Sequence, residues 1–373
     1  MHLPDDIRAA IAAAAETHDR TGAFPHDNFS KLKQTGLLAL TVPKTHGGMG
    51  RGLTEAAAIV GELGEACPST ALVFSMQCLF HRGISTNPRW PEHRAAEVAR
   101  TAVEQGALIN ALRVEPELGT PGRGGMPATT ARKTADGWSL HGHKIYATGI
   151  PGLTWGLVWA KTNEPEPRLG TFLLPIRAPG VRIHETWDHL GLRASGSHDV
   201  HFDGVNIPAD HAVDVRAPGD WRGRDPEVGA WNGTLISALY TGVARAARDW
   251  LCRFLHDRKP TNLGAALATL PRMQEAVGRI DARLLTNQHL IARAAAASDA
   301  GHPPPGTEID LLKTIMAENA IEAVAEAVAL CGNHALARAN PLERHMRDVL
   351  CARIHTPQAD SAHIAAGRQR LGL

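Results

Sequence analysis

The sequence has 373 residues, too many for one small core and enough for two or three packed domains. Hydrophobic residues make up 43%, charged residues 21%, and the formal net charge is +1 with no dense Lys/Arg block. That composition is globular and argues against nucleic acid or an anionic membrane as the main partner. The five cysteines, Cys67, Cys78, Cys252, Cys331 and Cys351, show no CxxC spacing and are odd in number. They read as buried thiols of a reducing cytoplasm. The chain start, Met1 to Asp6, lacks a basic stretch followed by an apolar one, so no signal peptide is expected. No apolar run approaches the ~20 residues of a membrane span.

The first zone, residues 1–105, reads as helical. Ile7–Thr17 is alanine-rich, Phe29–Leu38 ends near Gly36, and Leu53–Gly64 carries apolar residues at helical spacing. Cys67-Pro68-Ser69 breaks the chain, with Ser69 expected to cap a helix over Thr70–Arg82. Between these helices the stretch Leu40 to Gly50 is a glycine-rich loop without GxGxxG or P-loop spacing, so nothing there points to a Rossmann domain or an NTPase.

The second zone, residues 106–215, changes period. Short runs at Trp138–Gly142, Trp155–Ala160, Gly170–Leu174 and Val181–His184 are separated by Gly, Pro, Asn and Asp, and His198–Asp203 alternates with period two. An antiparallel sandwich or barrel of about seven strands is expected, since no helices alternate with the strands. The third zone, residues 216–373, is helical again. Thr234–Arg258, Leu270–Ser298, Thr307–Cys331 and Asn340–Cys351 carry apolar stripes, and the Pro303–Gly306 turn sets two of them antiparallel. Thr307 with Asp310 resembles a capping box, and Gly332 is placed to close that helix. The fold class expected is therefore α+β: a helical domain, a central antiparallel β-domain and a C-terminal four-helix bundle.

That order, together with several segments, resembles the acyl-CoA dehydrogenase family over essentially the whole chain. Gly36–Pro43 through Gly47-Gly48 is similar to the family's "GL…L.VPe..GG.G", and Val114–Thr120 to "TEP.AGSD". Leu140–Gly149 is similar to "L.G.K.wItNG". Leu190–Ser195 with Phe202–Pro208 is similar to "lG.R.s….F.dV.vP", and Cys331-Gly332 with Pro341–Asp348 to "lGG.Gy….P.Er..RD". The resemblance implies non-covalently bound FAD and oxidation of an acyl-CoA at Cα–Cβ, with a carboxylate removing the α-proton while the cofactor takes the hydride. It also implies an electron-transfer flavoprotein or a flavin reductase as electron partner, and a homotetramer or homodimer.

Carried over residue by residue, the resemblance places Tyr146 and Thr148 against the isoalloxazine, with the Val114 backbone nearby and Thr120 at the CoA arm. Arg258 would reach the FAD pyrophosphate of a neighbouring subunit, and Gly332 and Asn333 would pass the adenosine half. Plainer readings stand beside these. Thr148 before Gly149 can be a strand-end turn, Arg258 can pair with Asp257 or Asp249, and Arg347-Asp348 reads as a structural ion pair.

The chain departs from the family where the base should be. The glutamate of "YEGT" falls on Thr356, and the alternative position on an early helix of the third zone falls on Asn232. Neither is a base, and Glu227 and Asp360, the nearest acidic residues, have no spacing that aims them at a substrate. His355, eight residues after Arg347, resembles instead the histidine of flavin monooxygenases that share this fold and receive reduced flavin from a separate reductase. Such a histidine can exchange protons near neutral pH; filling the space of the family's tyrosine is the plainer reading. His81 can face the same cavity, but reads first as a histidine satisfied within its helix. No HExxH and no carboxylate–histidine cluster with metal spacing appears, and His355, Asp360 and His363 are the nearest grouping, so no metal is expected. Whole-chain similarity, with Glu115-Pro116 and Thr120, favours acyl-CoA dehydrogenase-like chemistry with His355 and Thr356 at the reaction centre. The alternatives are a reduced-flavin monooxygenase and a flavin- or acyl-CoA-binding protein without turnover.

Overall fold

A computed structural model describes residues 1–118, 125–221 and 225–373. Five helices come first: α1 (Asp5–Thr21), α2 (His26–Gln34), α3 (Leu53–Ala66), α4 (Pro68–Thr86) and α5 (Glu92–Gln105). Proline, not serine, starts α4. Cys67 is the N-cap and Pro68 opens the helix, where its missing N–H costs nothing, so Ser69 lies inside the first turn and the expected cap is corrected. α5 has no counterpart in the apolar-stripe reading, because only four of its fourteen residues, Val98, Ala99, Thr101 and Ala102, are buried.

Eight strands follow: β1 (Leu108–Leu112), β2 (Thr130–Lys133), β3 (Gly137–Ala147), β4 (Leu153–Thr162), β5 (Leu169–Pro175), β6 (Val181–His184), β7 (His198–Pro208) and β8 (Ala212–Arg216). They form one sheet in the order β6-β7-β3-β2-β4-β5-β8, with β1 beside β4. The expectation of purely antiparallel pairing needs correction. β4 runs parallel to β1 along Leu153–Val158 and to β2 at Lys161–Thr162. Parallel neighbours need a long crossover, and here the β2–β3 hairpin takes the place of a helix, so strand periodicity could not reveal the direction.

The last part is built on three long helices, α6 (Pro226–Asp257), α7 (Pro271–Asp299) and α8 (Gly306–Cys331). A fourth position is shared by short pieces: α9 (Asn333–Leu336), α10 (Leu342–Leu350) and α11 (Ala359–Leu371), the last not foreseen. The Thr307 capping box is also corrected. Pro305 stands at the N-cap, and the Thr307 hydroxyl donates instead to Gln369 of α11 at 2.6 Å. Gly332 does end α8, with φ +53°.

One core runs through all three layers. Leu63, Phe74, Leu140, Val200, Leu239 and Val324 belong to the same buried cluster, so helices, sheet and bundle pack as a unit. Asp299 at the end of α7 reinforces it by accepting from the backbone N–H of Leu53 and Thr54 at the start of α3 (2.6 and 2.9 Å). All five cysteines are free thiols, and no described helix is long and apolar enough to cross a membrane.

Candidate active site

The site is built outward from the end of β3. Lys144 is fully buried, and its ammonium meets Glu115 at 2.6 Å. Glu115 also accepts from the Thr129 hydroxyl (2.6 Å) and from the backbone N–H of Ala128 and Thr129 (2.7 and 3.0 Å). Burial alone would raise the Glu115 pKa, but Lys144 and Thr129 outweigh it and hold the carboxyl below its usual range. Burial pushes Lys144 down to about 8, against the pull of Glu115. A carboxylate saturated in this way is a structural pin. Glu115 therefore fixes the chain at Val114, whose carbonyl accepts from Ile145 at 3.0 Å, and gives no support to thioester chemistry. Thr120 lies outside the described residues.

Beyond the pin, Tyr146 adopts φ +57°, a conformation strained for a side chain of its size. Its ring is 53% exposed and meets Trp187 and His189 edge-on at 6.3 and 5.9 Å, while those two rings stack at 3.6 Å. The Nδ1 of His189 is buried without a hydrogen-bond partner. Thr148 shares its hydroxyl with Ser197 (2.9 Å), and Ser197 with Ser195 (2.8 Å). Gly149, at φ +81°, turns the chain and donates to Ser195 at 2.8 Å. Thr148 is thus both a strand-end residue and the outer member of a hydroxyl row.

Helix α10 holds the segment that carries this row. Asp348 accepts from the Leu192 N–H at 2.7 Å, and Leu192 has φ +51°. Arg347 donates to the Leu190 carbonyl (2.9 Å), to Asp19 (2.7 Å) and to Glu343 (2.7 Å). The expected Arg347–Asp348 pair is therefore corrected, since each side chain holds a different partner. A Cβ on Gly191 would lie 2.3 Å from the Arg347 carbonyl, so the loop and α10 touch backbone to backbone. Burial raises Asp348 to about 7.

His355 follows α10 in the chain. Its Nε2 is 2.6 Å from the hydroxyl of Tyr240, which is fully buried on α6. Lys313 of α8, itself buried, donates to the carbonyls of His355 and Pro357, the latter at 2.9 Å. Asn232 donates to the Thr356 carbonyl at 3.3 Å. Burial, then the Lys313 charge, pushes His355 down to about 3, which favours a neutral ring over one that exchanges protons near neutral pH. The Thr356 side chain is exposed. Glu227 is engaged by Arg82 at 2.7 Å, and Asp360 accepts from the Ser361 N–H at 2.8 Å.

The remaining predicted positions form a separate group. Arg258 caps the end of α6 with an exposed side chain that makes no ion pair among the described residues, while Asp249 is held by Arg248. Gly332 and the exposed Asn333 begin α9, whose His334 ring lies 5.1 Å from Phe254 near the end of α6. The structure therefore brings these three to one end of the bundle, apart from Thr148 and His355. The plain reading of His81 is corrected, because its buried Nε2 has no partner and burial lowers its pKa to about 4. Tyr240, Lys313 and Ser197 were missed by sequence reasoning. Among the described residues no three His, Cys, Asp or Glu side chains gather as a metal site. Two surface hollows, of about 500 Å³ beside His93 and about 320 Å³ beside Trp138, share no lining residue with these groups.

The fold is a sheet packed between two helical layers, with the exposed Tyr146 ring and the Thr148–Ser197–Ser195 row after β3. Models of the acyl-CoA dehydrogenase N-terminal, middle and C-terminal domains match residues 6–87, 114–205 and 231–356. The chain belongs to the acyl-CoA dehydrogenase family. It is 33% identical to the inferred acyl-CoA dehydrogenase YdbM of Bacillus subtilis (strain 168), covering 94% of this chain and 90% of that one. It is 30% identical to the L-evernosamine nitrososynthase of a Micromonospora species, covering 97% and 87%. The solved structure of KijD3 with FMN and a dTDP-linked amino-keto sugar superposes with a TM-score of 0.85 at 28% identity, covering 98% and 91%.

Proposed function

We propose that this protein is a reduced-flavin-dependent monooxygenase built on the acyl-CoA dehydrogenase scaffold. The observation that carries the reading is the reaction-side segment itself. Thr356 and Asn232 stand where a base is required, Glu115 is consumed by Lys144, and a neutral His355 held by Tyr240 occupies the adjoining position. Desaturation of an acyl thioester requires a positioned base for the α-proton. Oxygen insertion requires a shielded cofactor edge and hydrogen-bond donors around it.

The cofactor is a flavin, and the residues present fit one. The exposed Tyr146 ring offers an apolar face, and the orphaned Nδ1 of His189 lies beside it. The Thr148–Ser197–Ser195 row can rotate its hydroxyl protons toward a polar ring edge. Thr148 would hold that edge, with the Val114 backbone alongside. Arg258, Gly332 and Asn333 would take the adenosine half if the cofactor is FAD. When bound and reduced, the flavin supplies the electrons for O₂ activation. The protein's own share is to orient the substrate, exclude water and present His355 as a neutral hydrogen-bonding group. The nitrososynthase relatives, one named for an amino sugar, support an amine-bearing substrate.

His355→Ala tests the reading. Reoxidation of reduced flavin should persist while product falls at least tenfold and hydrogen peroxide is released instead; unchanged coupling would refute it. A second reading, acyl thioester desaturation, is favoured by the full-length similarity to YdbM. It predicts that Thr356→Glu raises acyl-CoA-dependent flavin reduction by on the order of 10²–10⁴-fold, whereas the monooxygenase reading predicts no useful gain.

A further inference from the structure

The geometry points to Tyr240 as a positioning residue that fixes His355 in the Nδ1–H tautomer, so that Nδ1, which makes no hydrogen bond among the described residues, is a hydrogen-bond donor. The inference rests on the functional reading above only in what that donor serves, not in the geometry that creates it.

Two arrangements satisfy the 2.6 Å contact between the Tyr240 hydroxyl and His355 Nε2. Either the hydroxyl donates to Nε2, leaving the proton on Nδ1, or Nε2–H donates to the phenolic oxygen, leaving Nδ1 as an acceptor. In the second arrangement the hydroxyl proton would be buried with nothing to receive it, because Tyr240 is fully buried and His355 is its one hydrogen-bond partner among the described residues. An unmet buried donor is costly, so the first arrangement is favoured. Phenol ionisation offers no escape, since burial raises the Tyr240 pKa well above its ordinary value.

The backbone is held as firmly as the ring. The Lys313 ammonium takes the carbonyls of His355 and Pro357, and Asn232 takes that of Thr356. The groups facing the pair are Lys313 from α8 and, from α10 and the turn after it, Asp348 and Cys351. Lys313 opposes a second positive charge on His355, which keeps the imidazole neutral. Anchored on three sides, His355 resembles a metal-free version of the tautomer control in which the bond made by one ring nitrogen decides the state of the other.

The test uses the whole protein labelled with ¹⁵N-histidine, with His355 assigned by its loss in His355→Gln. Long-range ¹H–¹⁵N correlation should show a neutral ring protonated at Nδ1, unchanged from about pH 8 to about pH 5. In Tyr240→Phe, which removes only the hydroxyl, His355 should move to the Nε2–H form or a mixture and titrate at a higher pH than in the wild type. A wild-type Nε2–H tautomer, or a Tyr240→Phe spectrum with the tautomer unchanged, would overturn the assignment. Neither outcome depends on what the protein catalyses, so loss of the monooxygenase reading in a turnover assay would leave this result standing, and the reverse holds equally.

Discussion

Three hydroxyls form a row, Ser195, Ser197 and Thr148, and of these Thr148 alone is not buried. Thr148→Val keeps the shape and removes the hydroxyl. One lost hydrogen bond is worth about 1 kcal/mol, so flavin affinity measured by fluorescence quenching should fall roughly fivefold with the fold unchanged. An affinity equal to the wild type would mean that Thr148 serves the turn alone. The resemblance offered Tyr146 and Thr148 as candidates because they lie within one short motif at the end of a strand. Tyr240 was not among them, because a buried tyrosine inside an apolar helical stripe reads as core. A signal was nevertheless available: the chain has only two tyrosines, Tyr146 and Tyr240.

Among the elements, α10 has the largest effect for its length. Its nine residues join α1, through Asp19, to the Leu190–Leu192 loop and so to the hydroxyl row. Asp348 is the exposed point of that joint to pH. Its folded pKa, about 7, lies above its ordinary 3.8, so the stability linked to it is present at acid pH and is lost as pH rises through about 7. Asp348→Asn keeps an oxygen for the Leu192 N–H and removes the charge. The variant should be more stable than the wild type at pH 8, by on the order of 2 kcal/mol, and little different near pH 4. Thermal melts at both values check this, and a gain of equal size at pH 4 would contradict it. At this scale the long helices were readable from their periodicity and the strands from alternation. The caps were misread because Pro68 and Pro305 start helices without side-chain caps, leaving Ser69 and Thr307 for other partners. α11 was missed because one buried residue, Ala362, leaves no stripe to read.

For the whole molecule, the candidate groups fall in three places: Tyr146 with the hydroxyl row after β3, His355 with Tyr240 and Lys313, and the end of α6 with α9. A flavin mononucleotide does not need the end of α6; FAD does, and the exposed Arg258, which makes no ion pair among the described residues, is then expected to reach the cofactor of a neighbouring copy. Arg258→Ala should lower FAD occupancy and shift a dimer or tetramer toward smaller species on light scattering, while FMN binding stays unchanged. Full FAD occupancy in that variant would remove Arg258 from the site.

The three-layer order was legible because helix and strand periods change cleanly along the chain. The reaction was not, because it turns on which side chains share one crevice. Here Lys144 consumes Glu115 and Tyr240 holds His355, pairings between elements far apart in sequence. The central claim is that the site activates O₂ with reduced flavin and lacks a base for acyl thioesters. The most direct measurement is stopped-flow spectroscopy of the flavin in one preparation, with two arms. Oxidised protein mixed anaerobically with butyryl- or octanoyl-CoA should stay yellow, and protein loaded with reduced flavin should react promptly with O₂ and form oxygenated product when an amine-bearing substrate is supplied. Rapid anaerobic bleaching by either acyl-CoA would contradict the account and require a base elsewhere in the crevice.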